Sequence, residues 1–129
     1  MLTVLALLLA VKTSLAVERE MSMRATWKAI CWVESRGDPR AYRKDENALG
    51  IGQIRPICLD DVNRILGYPK YKLADRLDPV KSYEMFRVYV RYYKPNGTPE
   101  QWARIWNGGT RGDKKTSTVR YWWRVRARM

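Results

Sequence analysis

Two short segments combine a carboxylic acid with a glycine-rich stretch that ends in an amide. Glu34-Ser35 comes directly before a turn signal at Gly37 and Pro39, and Gly50-Ile51-Gly52-Gln53 follows after a polar stretch. Cleavage of a glycosidic bond needs a proton donor of raised pKa and a rigid polar wall that holds a sugar beside it. The two segments therefore predict acid–base chemistry on a sugar.

A carboxylate is the main candidate for this chemistry, because the 129-residue chain contains no His. Mechanisms that need an imidazole are excluded, including Ser-His-Asp hydrolysis, Cys-His proteolysis and His-ligated zinc chemistry. The two cysteines alone are too few ligands for a convincing metal site. We expect neither a metal nor a cofactor.

Glu34 is predicted to lie on the apolar side of a helix. The residues before it have helical spacing, so that one stripe contains Trp27, Ile30, Cys31 and Glu34. A carboxyl group on that stripe loses hydration, which favours its neutral form and raises its pKa. The alternative is a solvated Glu in a salt bridge with Arg36 or Arg40.

The rest of the pattern predicts a mainly α domain (α+β) with a small β-hairpin or loop wall beside the candidate acid. The segment from Ala41 to Ile54, rich in polar residues and glycines, is expected to supply that wall. Capping and proline signals predict further helices that start at Pro56, at Pro79 after the Asp78 cap, at the Thr98–Gln101 capping box and near Ser117.

Two aromatic groups are expected to pack into the core. One is a stripe on the third helix, formed by Tyr83, Phe86, Val90 and Tyr93. The other is the inward side of the last helix, formed by Val119, Trp122 and Trp123.

The first residues are typical of a secretory signal peptide. Leu2 to Val11 is an apolar run interrupted only by Thr3, within the length of about 7–15 residues of a signal core and shorter than a membrane span. Small residues then favour cleavage after Ala16, which leaves a single domain over 17–129. We expect an exported, periplasmic or extracellular protein; the alternatives are a short uncleaved anchor and a buried helix.

Export would allow the two cysteines, Cys31 and Cys58, to form a disulfide. The sequence does not give their Cα separation, so the alternative stays open that both are small buried apolar side chains.

Three motifs in order resemble those of the soluble lytic transglycosylase (SLT) domain. They are Glu34-Ser35-x-x-Asp38-Pro39-x-Ala41, then Ala48-x-Gly50-x-x-Gln53-Ile54-x-Pro56, and then Trp106-Asn107-Gly108-Gly109, where the family has Tyr-Asn-Ala-Gly. The resemblance extends from about Trp27 to Val125. It implies a lysozyme-like fold and cleavage of peptidoglycan glycan strands between N-acetylmuramic acid and N-acetylglucosamine.

The resemblance implies that Glu34 is the catalytic acid/base. Ser35 would help to orient Glu34 or the substrate, and Tyr121 would form a hydrogen bond near Glu34. In this family a single Glu donates a proton and then takes one back, while the sugar's own 6-hydroxyl attacks C1. The expected product is a 1,6-anhydromuropeptide.

The resemblance assigns the remaining matched residues to substrate binding. Gly50, Gly52 and Gln53 would line the sugar site, and Asn107 would contact the substrate or brace the cleft. Trp106 replaces the family's Tyr, which removes a hydroxyl but keeps a flat surface for a sugar. Gly52 stands where the family often has a bulkier apolar residue before Gln.

Lysozyme-type hydrolysis of the same bond is the alternative reaction. It needs a second carboxylate opposite Glu34. The nearby candidates are Asp38, Asp45 and Glu46. Asp38 is expected to serve the turn instead, because it precedes Pro39.

The strong positive charge indicates an anionic partner. The formal net charge is +12, and such a surface is attracted to polyanions. Cell-wall glycan carries carboxylates, and the segment from Arg120 to Arg128 interleaves cations with aromatics. A non-catalytic basic protein that binds cell wall or an anionic membrane is therefore the alternative to an enzyme. Nucleic-acid binding fits poorly with export, and we expect a monomer.

Overall fold

The chain is dominated by helices. The computed structural model describes residues 3–129 and contains α1 (Val4–Ser35), β1 (Tyr42–Arg43), β2 (Ala48–Leu49), α2 (Pro56–Leu66), α3 (Pro79–Tyr93), α4 (Pro99–Gly108) and α5 (Val119–Arg126). Short 3-10 turns cover Leu73–Leu77, Gly112–Lys114 and Thr116–Thr118. The prediction of a mainly α domain with a small β segment is confirmed.

The helices after the hairpin begin at the predicted signals. Proline occupies the first turn of α2, α3 and α4, where its missing N–H needs no partner. The Asp78 side chain accepts hydrogen bonds from Val80 N and Lys81 N at 2.9 and 3.2 Å. Thr98 and Gln101 form the predicted capping box at the start of α4.

The core lies between the second half of α1 and helices α3, α4 and α5. The Trp27 ring stacks on Phe86 with 4.8 Å between centroids. Trp102, Ile105 and Val125 are almost fully buried around this contact. The packing holds the end of α1 rigidly against three other helices, and this end carries Glu34.

The first half of α1 differs from the second, because its apolar side chains are exposed. The helix begins at Val4, far before the predicted apolar stripe from Trp27 to Glu34, and its first buried residue is Met23. Residues 17–25 therefore belong to the same helix as Glu34. Met1 and Leu2, where the predicted signal peptide begins, lie outside the described residues.

Glu20 is the first side chain of α1 with strong contacts to another helix. Its Oε1 accepts a hydrogen bond from Tyr83 Oη at 2.8 Å, and its Oε2 accepts one from Arg91 at 3.1 Å. The ordered contacts of α1 therefore begin after the predicted cleavage point at Ala16. No helix within residues 3–129 combines the length and apolar character that a membrane crossing requires.

The β segment is a two-stranded antiparallel hairpin. Tyr42 pairs with Leu49 and Arg43 with Ala48, and a further bridge joins Leu49 to Ile54. This small sheet directly follows the turn after α1. It forms the predicted wall beside Glu34.

Two expectations about aromatic side chains are wrong in part. On α5, Tyr121 and Val125 are buried and Trp122 is partly buried against the core as predicted, whereas Trp123 is 62 % exposed. The short helix packs through its i, i+4 pair, which turns Trp123 outward. On α3, Tyr83, Phe86 and Val90 are buried as predicted, but Tyr93 is half-buried and borders a cleft instead.

Candidate active site

Glu34 lies at the end of α1 with its carboxyl group almost out of solvent. Its side chain is 12 % exposed. Oε1 accepts a hydrogen bond from Arg43 Nη2 at 2.6 Å, and Oε2 accepts one from Tyr121 Oη at 2.9 Å. The residue is therefore on the apolar side of the helix as predicted, and its ion-pair partner is Arg43 rather than Arg36 or Arg40.

Burial controls the protonation of this carboxyl group. Loss of hydration raises the pKa of Glu34 above its ordinary value, and the Tyr121 hydrogen bond and the Arg43 charge offset the rise only in part. Burial and the neighbouring Glu34 raise the pKa of Tyr121 well above its ordinary value. The phenol thus stays a hydrogen-bond donor, and Glu34 can serve as a proton donor at higher pH than an exposed Glu.

Glu34 opens into a cleft of about 630 Å³, in the size range of ligand sites. Of the sequence-predicted residues, the cleft is lined by Glu34, Gln53, Trp106 and Asn107. The cleft lining does not include the other predicted residues, which are Ser35, Gly50, Gly52 and Tyr121. Direct contact of the lining residues with a substrate stays a prediction.

Ser35 fastens the hairpin wall to α1. Its hydroxyl donates to the Ile51 carbonyl at 2.7 Å and lies 3.1 Å from the Cys31 carbonyl. This contact fixes the distance between the helix end that carries Glu34 and the glycine-rich turn. The geometry therefore suits an orienting role for Ser35.

Gln53 braces the wall with every polar atom of its side chain. Nε2 donates to the carbonyls of Ala41 and Gly50, both at 3.0 Å, and Oε1 accepts from Arg43 Nε at 2.9 Å. The side chain is in the turn's interior at 8 % exposure, and its backbone has a positive φ of 53°. The amide thus holds the hairpin closed and orients Arg43.

Gly52 and Gly50 are required by close approach of neighbouring groups. A Cβ at Gly52 would lie 2.2 Å from Cη2 of Trp27, so the turn rests directly on the core indole. A Cβ at Gly50, where φ is +87°, would lie 1.8 Å from the Arg76 carbonyl oxygen. The Trp27 ring therefore occupies the space that a side chain at position 52 would need.

Arg76 holds the wall from behind although it is buried. Its Nη1 donates to the carbonyls of Asn47 and Ile54 at 2.7 and 2.9 Å, and its Nε donates to Leu73 at 2.9 Å. Backbone carbonyls alone thus satisfy these donors of the guanidinium. Sequence reasoning missed this residue, because nothing distinguishes it from the many solvated arginines.

Trp106 and Asn107 line the cleft at the end of α4. The Trp106 ring meets Trp27 edge-on at 5.5 Å, and its Nε1 donates to the Gly52 carbonyl at 3.2 Å. The indole therefore ties α4 to the glycine-rich turn while it still lines the cleft. Asn107 follows directly and also lines the cleft.

The comparison with protein families agrees with this arrangement. The family model described as transglycosylase SLT domain matches residues 14–118, which is most of the chain. The chain belongs to the SLT transglycosylase family. Members of the family are peptidoglycan lytic transglycosylases, enzymes that cleave glycan strands, and the mainly α architecture agrees with the family's lysozyme-like fold. Searches of curated proteins and of solved structures found no match.

The SLT cleft holds further carboxylates besides Glu34. Glu46 lines the cleft, and its Oε2 lies 3.7 Å from Arg43 Nη1. Asp45 does not line the cleft. Asp38 accepts a hydrogen bond from Arg40 N at 2.9 Å and so serves the turn, as predicted. Of the three candidates for a second catalytic carboxylate, Glu46 alone faces the cleft.

The far wall of the SLT cleft carries a polar group that sequence reasoning missed. Asp61 accepts hydrogen bonds from Arg64 Nε at 2.8 Å and from Tyr93 Oη at 2.5 Å. Tyr93 was assigned to the core from its helical spacing, which gives the face of a helix but not where the core ends. Arg43 was missed for a different reason: it stands among other basic residues and follows no pattern.

Residues 3–129 contain neither a disulfide between the two cysteines nor a cluster of side chains that could bind a metal ion. Cys31 is a buried free thiol and Cys58 a partly buried one, so the disulfide considered from the sequence is not present in this structure. Burial raises the pKa of both thiols, to about 12 for Cys58. Within the described range, no group of three or more His, Cys, Asp or Glu residues could hold a metal ion.

Proposed function

We propose that Glu34 is the single catalytic acid/base of this SLT domain and that the products are 1,6-anhydromuropeptides. One observation carries the proposal: Glu34 is a nearly buried carboxyl group of raised pKa that opens into the cleft and is held by Tyr121. Burial supplies the neutral acid that the first step requires. The hydrogen bond fixes the direction in which the acid points.

In the first step, the Glu34 proton passes to the glycosidic oxygen as the bond from C1 of N-acetylmuramic acid to that oxygen breaks. The N-acetylglucosamine end leaves as an alcohol, and positive charge develops at C1. The acetamido group of the muramic acid assists. Glu34 is now a carboxylate, and the Tyr121 hydroxyl is in place to stabilise its charge.

In the second step, the 6-hydroxyl of the same sugar attacks C1 and gives its proton to Glu34. A 1,6-anhydro ring forms, no water is consumed, and Glu34 returns to its protonated state. Gln53, which the Gly50 carbonyl holds in place, would contact the sugar, and so would Trp106 and Asn107.

The test is mass spectrometry of muropeptides released from purified peptidoglycan by the wild type, Glu34→Gln and Glu46→Gln. We expect fragments one water lighter than hydrolysis products from the wild type and from Glu46→Gln, and none from Glu34→Gln. Full-mass reducing fragments that need both carboxylates would instead mean lysozyme-type hydrolysis. Binding without any Glu34-dependent release would mean a non-catalytic wall-binding protein.

We also propose that the chain is exported and cleaved after Ala16. Support comes from the exposed apolar side chains of the first half of α1, which have no core to cover them, and from the start of ordered contacts at Glu20. The test is the intact mass of the protein recovered from the periplasm or medium after expression in a bacterium. A full-length mass in the cytosol would contradict the proposal.

The basic C-terminal segment is proposed to concentrate the monomeric enzyme on the anionic wall. Arg124 and Arg126 are exposed on α5, next to the exposed Trp123 ring. Replacing both arginines with Gln should weaken pull-down by peptidoglycan at low salt and have little effect at high salt, because salt screens exposed charges. Equal binding of both proteins at low salt would contradict this role.

A further inference from the structure

Arg43 joins three groups that line the cleft. Its Nη2 donates to Glu34 Oε1 at 2.6 Å, its Nε donates to Gln53 Oε1 at 2.9 Å, and its Nη1 lies 3.7 Å from Glu46 Oε2. The guanidinium therefore contacts the candidate acid, the wall amide and the hairpin carboxylate at the same time. No other residue described in the structure connects these three groups.

The contact with Glu34 opposes the first catalytic step. A carboxyl group that donates a proton must be neutral, whereas a guanidinium at hydrogen-bond distance favours the charged form. The ionisable groups near Glu34 are Cys31 on its own helix, Tyr121 from α5, and Arg43 and Glu46 from the hairpin. Among these described neighbours, Arg43 is the cation.

Arg43 also has the freedom and the alternative partner that it would need to move. Its side chain is 48 % exposed, and it lies on a two-residue strand at the mouth of the cleft. Glu46 is a half-exposed acceptor three residues along the same hairpin. A rotation of the side chain toward Glu46 would break the contact with Glu34 and leave the backbone in place.

We propose that Arg43 is a positioning residue that holds Glu34 before the substrate binds and is displaced toward Glu46 when a glycan strand enters the cleft. The proposal rests on the proposed role of Glu34. Displacement removes the cation from the acid at the moment when a neutral acid is needed. The fully formed active site would therefore exist only with a sugar in place.

The experiment is the pH dependence of kcat/KM and of kcat on soluble, uncross-linked glycan strands. The first profile reports the free enzyme and the second the complex. Activity that needs protonated Glu34 falls as the pH rises through the pKa of Glu34. Arg43→Gln removes the cation, so the kcat/KM of this variant should fall at a higher pH than that of the wild type. On the alkaline side, the kcat/KM of the variant should therefore be roughly tenfold higher than that of the wild type.

The kcat profile separates a displaced Arg43 from one that stays. If the cation has already left Glu34 in the complex, the kcat profiles of Arg43→Gln and the wild type should coincide. A shift of the same size in both profiles would contradict the displacement of Arg43 by substrate. If neither profile shifted, the proposal that Arg43 favours the charged form of Glu34 in the free enzyme would be wrong. Arg43→Lys, which keeps a cation, should return kcat/KM toward the wild-type profile.

Arg40→Gln is the matched control, since it removes an exposed arginine from the same segment and should leave both profiles unchanged. Urea unfolding of Arg43→Gln checks that the hairpin still folds. A separate readout is the carbon-13 NMR titration of the Glu34 carboxyl group in the free protein. If Glu34→Gln retained lysis, the proposed function would be wrong. If Glu34 titrated identically in Arg43→Gln and in the wild type, the proposed effect of Arg43 on Glu34 would be wrong, whatever the outcome for the function.

Discussion

Glu34 and Asp61 are two carboxylates of one cleft with the same kinds of partner. Each accepts a hydrogen bond from an arginine and one from a tyrosine hydroxyl. Glu34 is 12 % exposed, whereas Asp61 is 23 % exposed, and Tyr121 is buried behind Glu34. The two carboxylates therefore differ in their exposure to water and not in the kinds of partner, and burial is what favours the neutral form of a carboxyl group.

The origin of the difference is the element that carries each residue. Glu34 ends a helix whose last turns are packed on three other helices, so its carboxyl group emerges from the core. Asp61 lies on α2, which packs mainly on α3 along one side. Its partner Arg64 is more than half exposed, as expected of a surface ion pair.

The largest expected effect is loss of activity in Glu34→Gln compared with Asp61→Asn. The first removes the proposed proton donor and should lower the rate of lysis by about 10²–10⁴-fold. The second removes a surface charge on the far wall and should have a much smaller effect. The fall in turbidity of a peptidoglycan suspension measures the rate of lysis by each variant. Similar reductions of this rate in Glu34→Gln and Asp61→Asn would contradict a special role for Glu34.

The wall beside Glu34 should be the more sensitive to added bulk. Gly52→Ala would place a Cβ 2.2 Å from Trp27, and overpacking of this kind destabilises by about 1–3 kcal/mol. Gly67→Ala is the control, because a Cβ there meets no atom within 4 Å and adds only the strain of a positive φ. Urea unfolding compares the two; a smaller loss of stability in Gly52→Ala than in Gly67→Ala would contradict this packing.

Much of this arrangement was predictable from the sequence, for physical reasons that differ between residues. The helical spacing of Trp27, Ile30 and Cys31 places Glu34 on the buried side, and the capping signals give the starts of the later helices. Arg43 and Arg76 were not predictable, because their roles depend on a hairpin that brings distant backbone groups together. Charge and composition are the same for a solvated arginine and a buried one.

The orientation of α5 shows another limit. Val119, Trp122 and Trp123 suggested an inward face, yet the fully buried residues of the helix are Tyr121 and Val125, and Trp122 packs only partly against the core. In so short a helix a few apolar positions are compatible with more than one face. The observed face places the Tyr121 hydroxyl 2.9 Å from Glu34 Oε2.

The tyrosine hydroxyls beside the two carboxylates should also differ in their effect on activity. Tyr121→Phe takes away a hydrogen bond that favours the carboxylate, so the pKa of Glu34 should rise and the fall of kcat/KM should move to higher pH. Loss of orientation should also lower the maximum rate, by up to about 100-fold. Tyr93→Phe, next to Asp61, should leave the pH of the fall unchanged. A shift in Tyr93→Phe of equal size would contradict the account.

The smallest expected effect is on stability, and it has opposite signs at the two carboxylates. The pKa of Glu34 is raised in the folded state, so its stabilising contribution is full at acidic pH and is lost as the pH rises through the folded pKa. Glu34→Gln should therefore gain stability over the wild type at neutral pH, while Asp61→Asn should lose about 0–1 kcal/mol. Urea unfolding at acidic and neutral pH measures both, and a Glu34→Gln protein less stable than the wild type at neutral pH would count against burial as the dominant cause.

The most direct test of the central claim is a carbon-13 NMR titration of the Glu34 carboxyl group in the wild-type protein, assigned by comparison with Glu34→Gln. We predict a titration midpoint above the ordinary Glu value of 4.5, because the effect of burial on the pKa of Glu34 outweighs the opposite effects of Arg43 and Tyr121. A midpoint at or below that value would mean that the ion pair with Arg43 dominates. Glu34 would then be a structural carboxylate like Asp61 and not the acid of this transglycosylase.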